Sequence, residues 1–272
     1  MAAKLVIVGG GKMGEALVAG LLAAGWAEPG DLLIAEALAA RRDQLMAPEG
    51  LGGRNPGLAV AASPADAEGA AGAVIAVKPG DIEAACRSVA AAHVGRVLSI
   101  AAGVPLARLQ EWLGDGVPVV RAMPNTPALV GAGAAAIAPG SAAGDDDMDW
   151  AEEVLGAVGT VVRVPEALLD AVTGLSGSGP AYVFLVAEAL IEAGVLVGLP
   201  RPVSQQLAVQ TLLGSARLLA ESDQGPEALR AAVTSPGGTT AAGLRALEAA
   251  AVRSAFLDAV VAATERSRAL GA

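Results

Sequence analysis

The chain has 272 residues, of which 54% are hydrophobic, 17% charged and only 2% aromatic. That is enough to bury a real core and too apolar for a disordered chain. A formal net charge of −10 repels phosphate backbones and argues against a nucleic-acid partner, although backbone N–H groups still permit a local anion site. Mean hydropathy is +0.55, but alanine and glycine raise it. No 18-residue stretch is free of charge, proline or frequent glycine, and the best candidate, Tyr182 to Leu199, carries Glu188 and Glu192. No spanning helix and no membrane partner is expected. One cysteine, Cys86, allows no intrachain disulfide and fits a reducing cytoplasm. A strand-like run begins at Lys4 with no signal peptide before it. With one His, one Cys and no clustered carboxylates, no metal site is expected.

The first strand is predicted over 4–8 and a helix over 12–25. Between them runs Gly9-Gly10-Gly11-Lys12-Met13-Gly14, the pattern G-x-G-x-x-G in its strand-to-helix setting. The first glycine allows a tight turn, the second lets backbone approach a pyrophosphate, and the third lets helix pack on strand. The second strand, 32–36, ends on Glu36, 22 residues past Gly14. An acid there hydrogen-bonds a ribose 2′-OH and repels a 2′-phosphate, so the cofactor lean is to NADH, with NADPH the alternative. Arg41 and Arg42 on the next helix, 37–47, read as solvated; the other reading gives their charge to a 2′-phosphate.

Strands over 58–62 and 73–77 follow. The latter runs into Val77-Lys78-Pro79 at a carboxyl end, where ligands of open α/β sheets bind. Lys78 there reads equally as a ribose contact or a surface lysine. A helix over 80–92 leads to strand 96–100 and to Ala101-Ala102-Gly103, small enough for a flat ring to lie close. After a helix over 105–113, strand 117–122 runs into Arg121-Ala-Met-Pro-Asn-Thr-Pro127. Asn125 in this stiff turn reads either as a nicotinamide contact or as a structural group. Strands over 134–138 and 160–164 flank a helix over 147–158, with Asp145, Asp146 and Asp147 where acid suits the helix dipole. Nearly continuous apolar strands alternating with helices describe a doubly wound Rossmann α/β domain with parallel strands, placed at 1–164.

Residues 165–272 show no strand pattern. Helices are predicted over 166–175, 179–197, 201–221, 225–233, 239–249 and 251–270, giving an all-helical second domain. Its Ala/Leu/Val-rich helices need an apolar partner surface, so dimerisation through this half is expected. Two motifs stand out in it. In Leu175-Ser-Gly-Ser-Gly-Pro-Ala-Tyr182, Ser178 reads as an N-cap with Pro180 in the first turn. In Val233-Thr-Ser-Pro-Gly-Gly-Thr-Thr240, two glycines and two threonines at a helix start make either a cradle for a small carboxylate or a plain cap.

Taken together and in this order, the glycine loop, Val77-Lys-Pro, Arg121-x-Met-Pro-Asn-Thr-Pro, Ser176-Gly-Ser-Gly-Pro-Ala-Tyr and Ser235-Pro-Gly-Gly-Thr-Thr resemble the pyrroline-5-carboxylate reductase family, over essentially the whole chain. The resemblance implies a Rossmann domain, a helical domain forming an interlocked homodimer, decamers in some members, and an active site between the two kinds of domain. It implies reduction of the cyclic imine 1-pyrroline-5-carboxylate to L-proline by hydride transfer from NADPH or NADH. Gly9, Gly11, Lys12, Met13, Gly14, Val77, Lys78, Ala101 and Ala102 then match cofactor contacts, with Pro79 in the same motif. Ser235, Gly237, Gly238, Thr239 and Thr240 match the substrate loop, Thr240 approaching the ring nitrogen, and Glu166 matches an acid near bound proline. Glu36 departs from the Ser or Asn common in the family, and Ser63 stands where many members have asparagine facing the cofactor. A nicotinamide-sensing regulator is a rival reading, but it has no use for the polar loop at Ser235–Thr240. A 3-hydroxyacid dehydrogenase is another, but that class relies on a lysine in its helical half, and residues 165–272 contain none.

Overall fold

In the computed structural model, which describes residues 3–271, the apolar runs form one eight-stranded sheet of order β3-β2-β1-β4-β5-β6-β7-β8. The strands are β1 (Leu5–Val8), β2 (Leu32–Ala35), β3 (Ala59–Ala61), β4 (Ala73–Ile75), β5 (Val97–Ser99), β6 (Val119–Met123), β7 (Gly133–Pro139) and β8 (Gly159–Arg163). From β1 to β6 all neighbours are parallel, and the order 3-2-1-4-5-6 is that of two joined mononucleotide-binding halves. The order reverses beside β1, whose Ile7 pairs with Ile34 on one side and Val74 on the other.

Parallel pairing, expected throughout, ends at β6. Strand β7 is antiparallel to it, and β8 runs parallel to β7. Only residues 124–132 link β6 to β7, with one 3-10 turn at Thr126–Val130. A parallel return needs about a dozen residues or more, so a link this short turns the strand round.

Helices α1 (Lys12–Ala23), α2 (Ala39–Met46), α3 (Leu51–Arg54), α4 (Ile82–Ala91), α5 (Leu106–Leu113) and α6 (Asp145–Gly156) lie between the strands in sequence. Alternate strand residues feed two cores. Leu5 and Ile7 pack with Leu17 and Leu21 of α1 and Val154 of α6. Val6 and Val8 pack with Ile82 and Val89 of α4 and Leu109 of α5. Because helices cover both faces, neither set of side chains is polar, and the runs read as continuously apolar. At the start of α6 the Gly144 N–H donates to Asp147 Oδ2 at 3.0 Å, tying the acidic first turn to its cap residue.

The chain divides into two compact units, Met1–Ser178 with Ala262–Ala272, and Gly179–Val261. Helices follow β8, and the first helical segment, beyond the boundary expected at 164, stays with the sheet. Leu169 of α7 (Leu169–Val172) is buried in the second core. The chain's last helix also returns there, where Ser267 Oγ bonds Asp170 Oδ1 at 2.6 Å.

The helix expected over 179–197 is present, but Ser178 has helical φ and ψ of −83 and −18 and does not open it as an extended N-cap. Residues Thr173–Gly177 form a π turn leading directly into α8 (Gly179–Leu196), and the Ser178 N–H donates to Thr173 O at 2.8 Å. Pro180 has no N–H to give Ser176 O, and that carbonyl accepts instead from Asn125 Nδ2 at 3.0 Å. The helical stretch Glu166–Leu196, bent at Ser178, reaches a windowed hydropathy of 1.5 and meets the length and composition of a membrane span, which the broken sequence pattern did not anticipate.

The second unit continues with α9 (Arg201–Glu221), α10 (Pro226–Ala232) and α11 (Thr239–Ala249), and the first half of α12 (Val252–Gly271) completes it. Helices α8 and α9 touch at Gly194, where a Cβ would lie 2.1 Å from Ser204 Oγ. That hydroxyl donates to Ile191 O at 2.7 Å. Among the described residues of Gly179–Val261, Ser204 alone is buried; Phe184, Leu185, Leu207 and Leu257 are exposed.

Candidate active site

The glycine loop turns from β1 into α1. Gly9 lies at φ +109, and a Cβ there would stand 2.7 Å from Ala76 O; a Cβ on Gly14 would stand 2.2 Å from Gly9 O. Neither position admits a side chain. Gly11 differs, because a Cβ there meets nothing within 4 Å. It is the N-cap of α1, and no side chain caps that helix end. The first-turn N–H groups therefore lack intrahelical partners, which is what an anionic pyrophosphate requires. Gly9, Gly11, Glu36, Ser63, Val77 and Lys78 line a groove of about 800 Å³ beside the sheet's switch point. A dinucleotide fits these residues: the groove is open, the loop has no side chains to block it, and the helix end is uncapped.

Glu36 is built into the loop. Its Oε2 accepts from the Gly10 N–H and its Oε1 from the Leu38 N–H, both at 2.9 Å. The other side of the same glycine is held by Arg41, whose Nε donates to Gly10 O at 2.8 Å. Arg41 also pairs with Glu15 at 2.7 Å and donates to Gln44 at 3.1 Å. Arg42 donates to Glu36 O and Ala37 O, each at 2.8 Å. The two arginines are thus pinned rather than solvated as the sequence reading had them. The missed signal is their spacing: residues in the first turn of a helix that follows β2 face back towards the glycine loop.

The other strand ends supply smaller parts. Ser63 caps the 3-10 turn Pro64–Ala67, its Oγ accepting from Ala65 N–H at 3.2 Å, and it also faces the groove. Lys78 is exposed and precedes the turn Pro79–Asp81 without a side-chain cap. Ala101 is buried and Ala102 exposed just past β5. Lys12, Met13, Gly14, Pro79, Ala101, Ala102 and Asn125 do not line the groove itself. Asn125 has its amide engaged at both ends, donating to Ser176 O and accepting from the Ala134 N–H at 2.8 Å.

Glu166 follows β8, and its Oε1 accepts from the Leu106 N–H at 2.7 Å and from Arg121 Nη1 at 2.8 Å. Arg121 is 9% exposed, and a charge so buried requires such a partner. The pairing was legible only as a lone arginine inside an apolar strand.

In the second unit, α11 begins at Thr239, its N-cap is Gly238, and no side chain caps it. The Gly238 N–H donates to Ser235 O at 3.0 Å, closing the turn through Pro236 and Gly237. Thr239 and Thr240 occupy the first two helical positions, with Thr240 partly buried. The structure is thus a tight turn of small residues ending in a glycine N-cap, with two threonines at the helix start.

A pyrroline-5-carboxylate reductase from Synechocystis is 46% identical over 275 residues, covering 100% of this chain and 99% of that protein. The chain belongs to the pyrroline-5-carboxylate reductase family. The family model for pyrroline-5-carboxylate reductase dimerisation matches residues 166–270, and that for NADP oxidoreductase, coenzyme F420-dependent, matches residues 4–103. The structure of a pyrroline-5-carboxylate reductase from Coxiella burnetii superposes with a TM-score of 0.91 at 34% identity, covering 100% of both chains. The Plasmodium falciparum pyrroline carboxylate reductase crystal structure, with NADP bound, gives 0.84 at 31% identity, covering 99% of this chain and 98% of that one. As a member of this family the chain is an oxidoreductase, with the Rossmann and helical halves that the motif series implied.

Proposed function

We propose that this chain reduces 1-pyrroline-5-carboxylate to L-proline, with NADH as the better reductant. The observation that carries the reading is the likeness to reductases of this family along the full chain, both halves included. A reduced nicotinamide, when bound, supplies the hydride. The chain's own task is to orient and to place charge. The uncapped first turn of α1 and the groove at Gly9, Gly11, Ser63, Val77 and Lys78 hold the dinucleotide, with Lys12, Met13, Gly14 and Pro79 shaping its rim. Ala101 and Ala102 leave room for a flat ring. The N–H groups at the start of α11 hold the substrate carboxylate, with Ser235, Gly237, Gly238 and Thr239 forming the turn. The Thr240 hydroxyl hydrogen-bonds the ring nitrogen. A threonine hydroxyl is a poor acid, so Thr240 orients an imine that binds already protonated. Glu166, held by Arg121 and the Leu106 N–H, is the acid that the family resemblance assigns to the substrate.

The cofactor lean rests on Glu36. Each of its oxygens accepts one backbone N–H and keeps a second lone pair for a ribose 2′-OH, while its charge opposes a 2′-phosphate. Initial rates with 1-pyrroline-5-carboxylate test this: NADH should give the higher kcat/KM, and a clearly higher value with NADPH overturns the preference. No oxidation of either cofactor overturns the activity.

The exposed apolar helices of the second unit form a homodimer interface in this reading, supported by the dimerisation match over 166–270. Helix α8 belongs to that interface in this reading rather than to a membrane, since Glu188 and Glu192 interrupt its surface. A buried, unpaired Cys86 fits a reducing cytoplasm.

A further inference from the structure

Glu36 does not act alone at the ribose end of the groove. We propose that Glu15 is a second determinant of cofactor preference, acting through Arg41; the inference rests on the dinucleotide reading of this groove. Arg41 lines the groove and carries the charge that a 2′-phosphate would need. That charge is already spoken for. Nη2 of Arg41 lies 2.7 Å from Glu15 Oε2, and the two side chains are only 23% and 25% exposed, so solvent and salt screen the pair weakly. Its Nε is fixed on Gly10 O and its Nη1 on Gln44, which holds the guanidinium where Glu15 reaches it.

Two other cations lie close to this pair. Lys12 lies 3.7 Å from Glu15 but is 83% exposed. Arg42 does not line the groove and spends its Nη1 on two carbonyls. Two carboxylates, Glu15 and Glu36, therefore flank the corner where Arg41 holds Gly10, while the groove's other charged lining residues, Lys78 and Asp81, are of opposite sign. Removing Glu36 alone leaves Arg41 neutralised; removing Glu15 releases its charge towards the 2′ position.

The test is calorimetric binding of adenosine 5′-monophosphate and of adenosine 2′,5′-bisphosphate to the full chain, which needs no turnover. Glu15→Gln should tighten the bisphosphate about tenfold, or about 1.4 kcal/mol, and leave the monophosphate within about twofold. Glu15→Ala, which removes the carboxylate with a different shape, should move the ratio the same way. Adding Arg41→Gln to Glu15→Gln should erase the gain. An unchanged ratio in both Glu15 variants overturns the inference, as does a gain that survives loss of Arg41. If neither nucleotide binds the unaltered chain, the dinucleotide reading fails and this inference with it.

Discussion

Thr240 and Cys86 show how much a single residue's position decides. Thr240 sits, partly buried, at the second position of α11. Thr240→Ala should lower kcat/KM for 1-pyrroline-5-carboxylate about 10- to 100-fold, equivalent to roughly 1.4–2.8 kcal/mol, and an unchanged kcat/KM would contradict its role. Cys86 is fully buried on α4, and burial pushes its thiol from an ordinary 9.0 up to about 11. Because the folded state keeps a proton that the unfolded chain releases, this contribution to stability is complete below about pH 9 and is lost as pH rises towards 11. Urea midpoints measured across that range should fall more steeply for the unaltered chain than for Cys86→Ala. The backbone demands at Gly9 and Gly14 were legible because strand, turn and helix signals surround them. The roles of Arg41 and Glu15 were not, because a charge pair between different helices leaves no local pattern.

Between elements, Asn125 is the clearest junction. Its amide joins the turn after β6 to the π turn before α8 and to β7. The sequence left it between a cofactor contact and a structural group. Asn125→Ala strands the Ser176 carbonyl and the Ala134 N–H, and should cost about 2–3 kcal/mol in chemical denaturation. If stability is unchanged while the KM for NADH rises, Asn125 serves the cofactor instead. Gly14→Ala meets Gly9 O at 2.2 Å. The helix-propensity gain of about 1 kcal/mol cannot offset displaced backbone, so cofactor affinity measured by fluorescence quenching should fall at least tenfold. All eight strands and the main helices could be read from apolar runs and their punctuation. Strand direction could not: β7 reverses because the chain before it is short, and composition carries no trace of that. The π turn was equally hidden, since Ser178-Gly-Pro looks like a helix start whether or not another helix runs into it.

At the scale of the whole molecule, high hydropathy with few aromatics has two explanations. In the first unit, small residues let the strands, α1 and the glycine loop approach one another closely. In the second, the apolar residues remain exposed in the single chain and call for a partner subunit. Light scattering at micromolar concentration should give a dimer or a larger assembly, and Phe184→Asp on α8 should weaken it; a monomeric unaltered chain would contradict the interface. Chemistry is tested most directly by isotope transfer. The full chain is incubated with 1-pyrroline-5-carboxylate and NADH carrying deuterium at both C4 positions, and the proline formed is analysed by mass spectrometry and NMR. The expected result is L-proline with one deuterium at C5. Absence of proline, or proline without the label, would contradict direct hydride transfer.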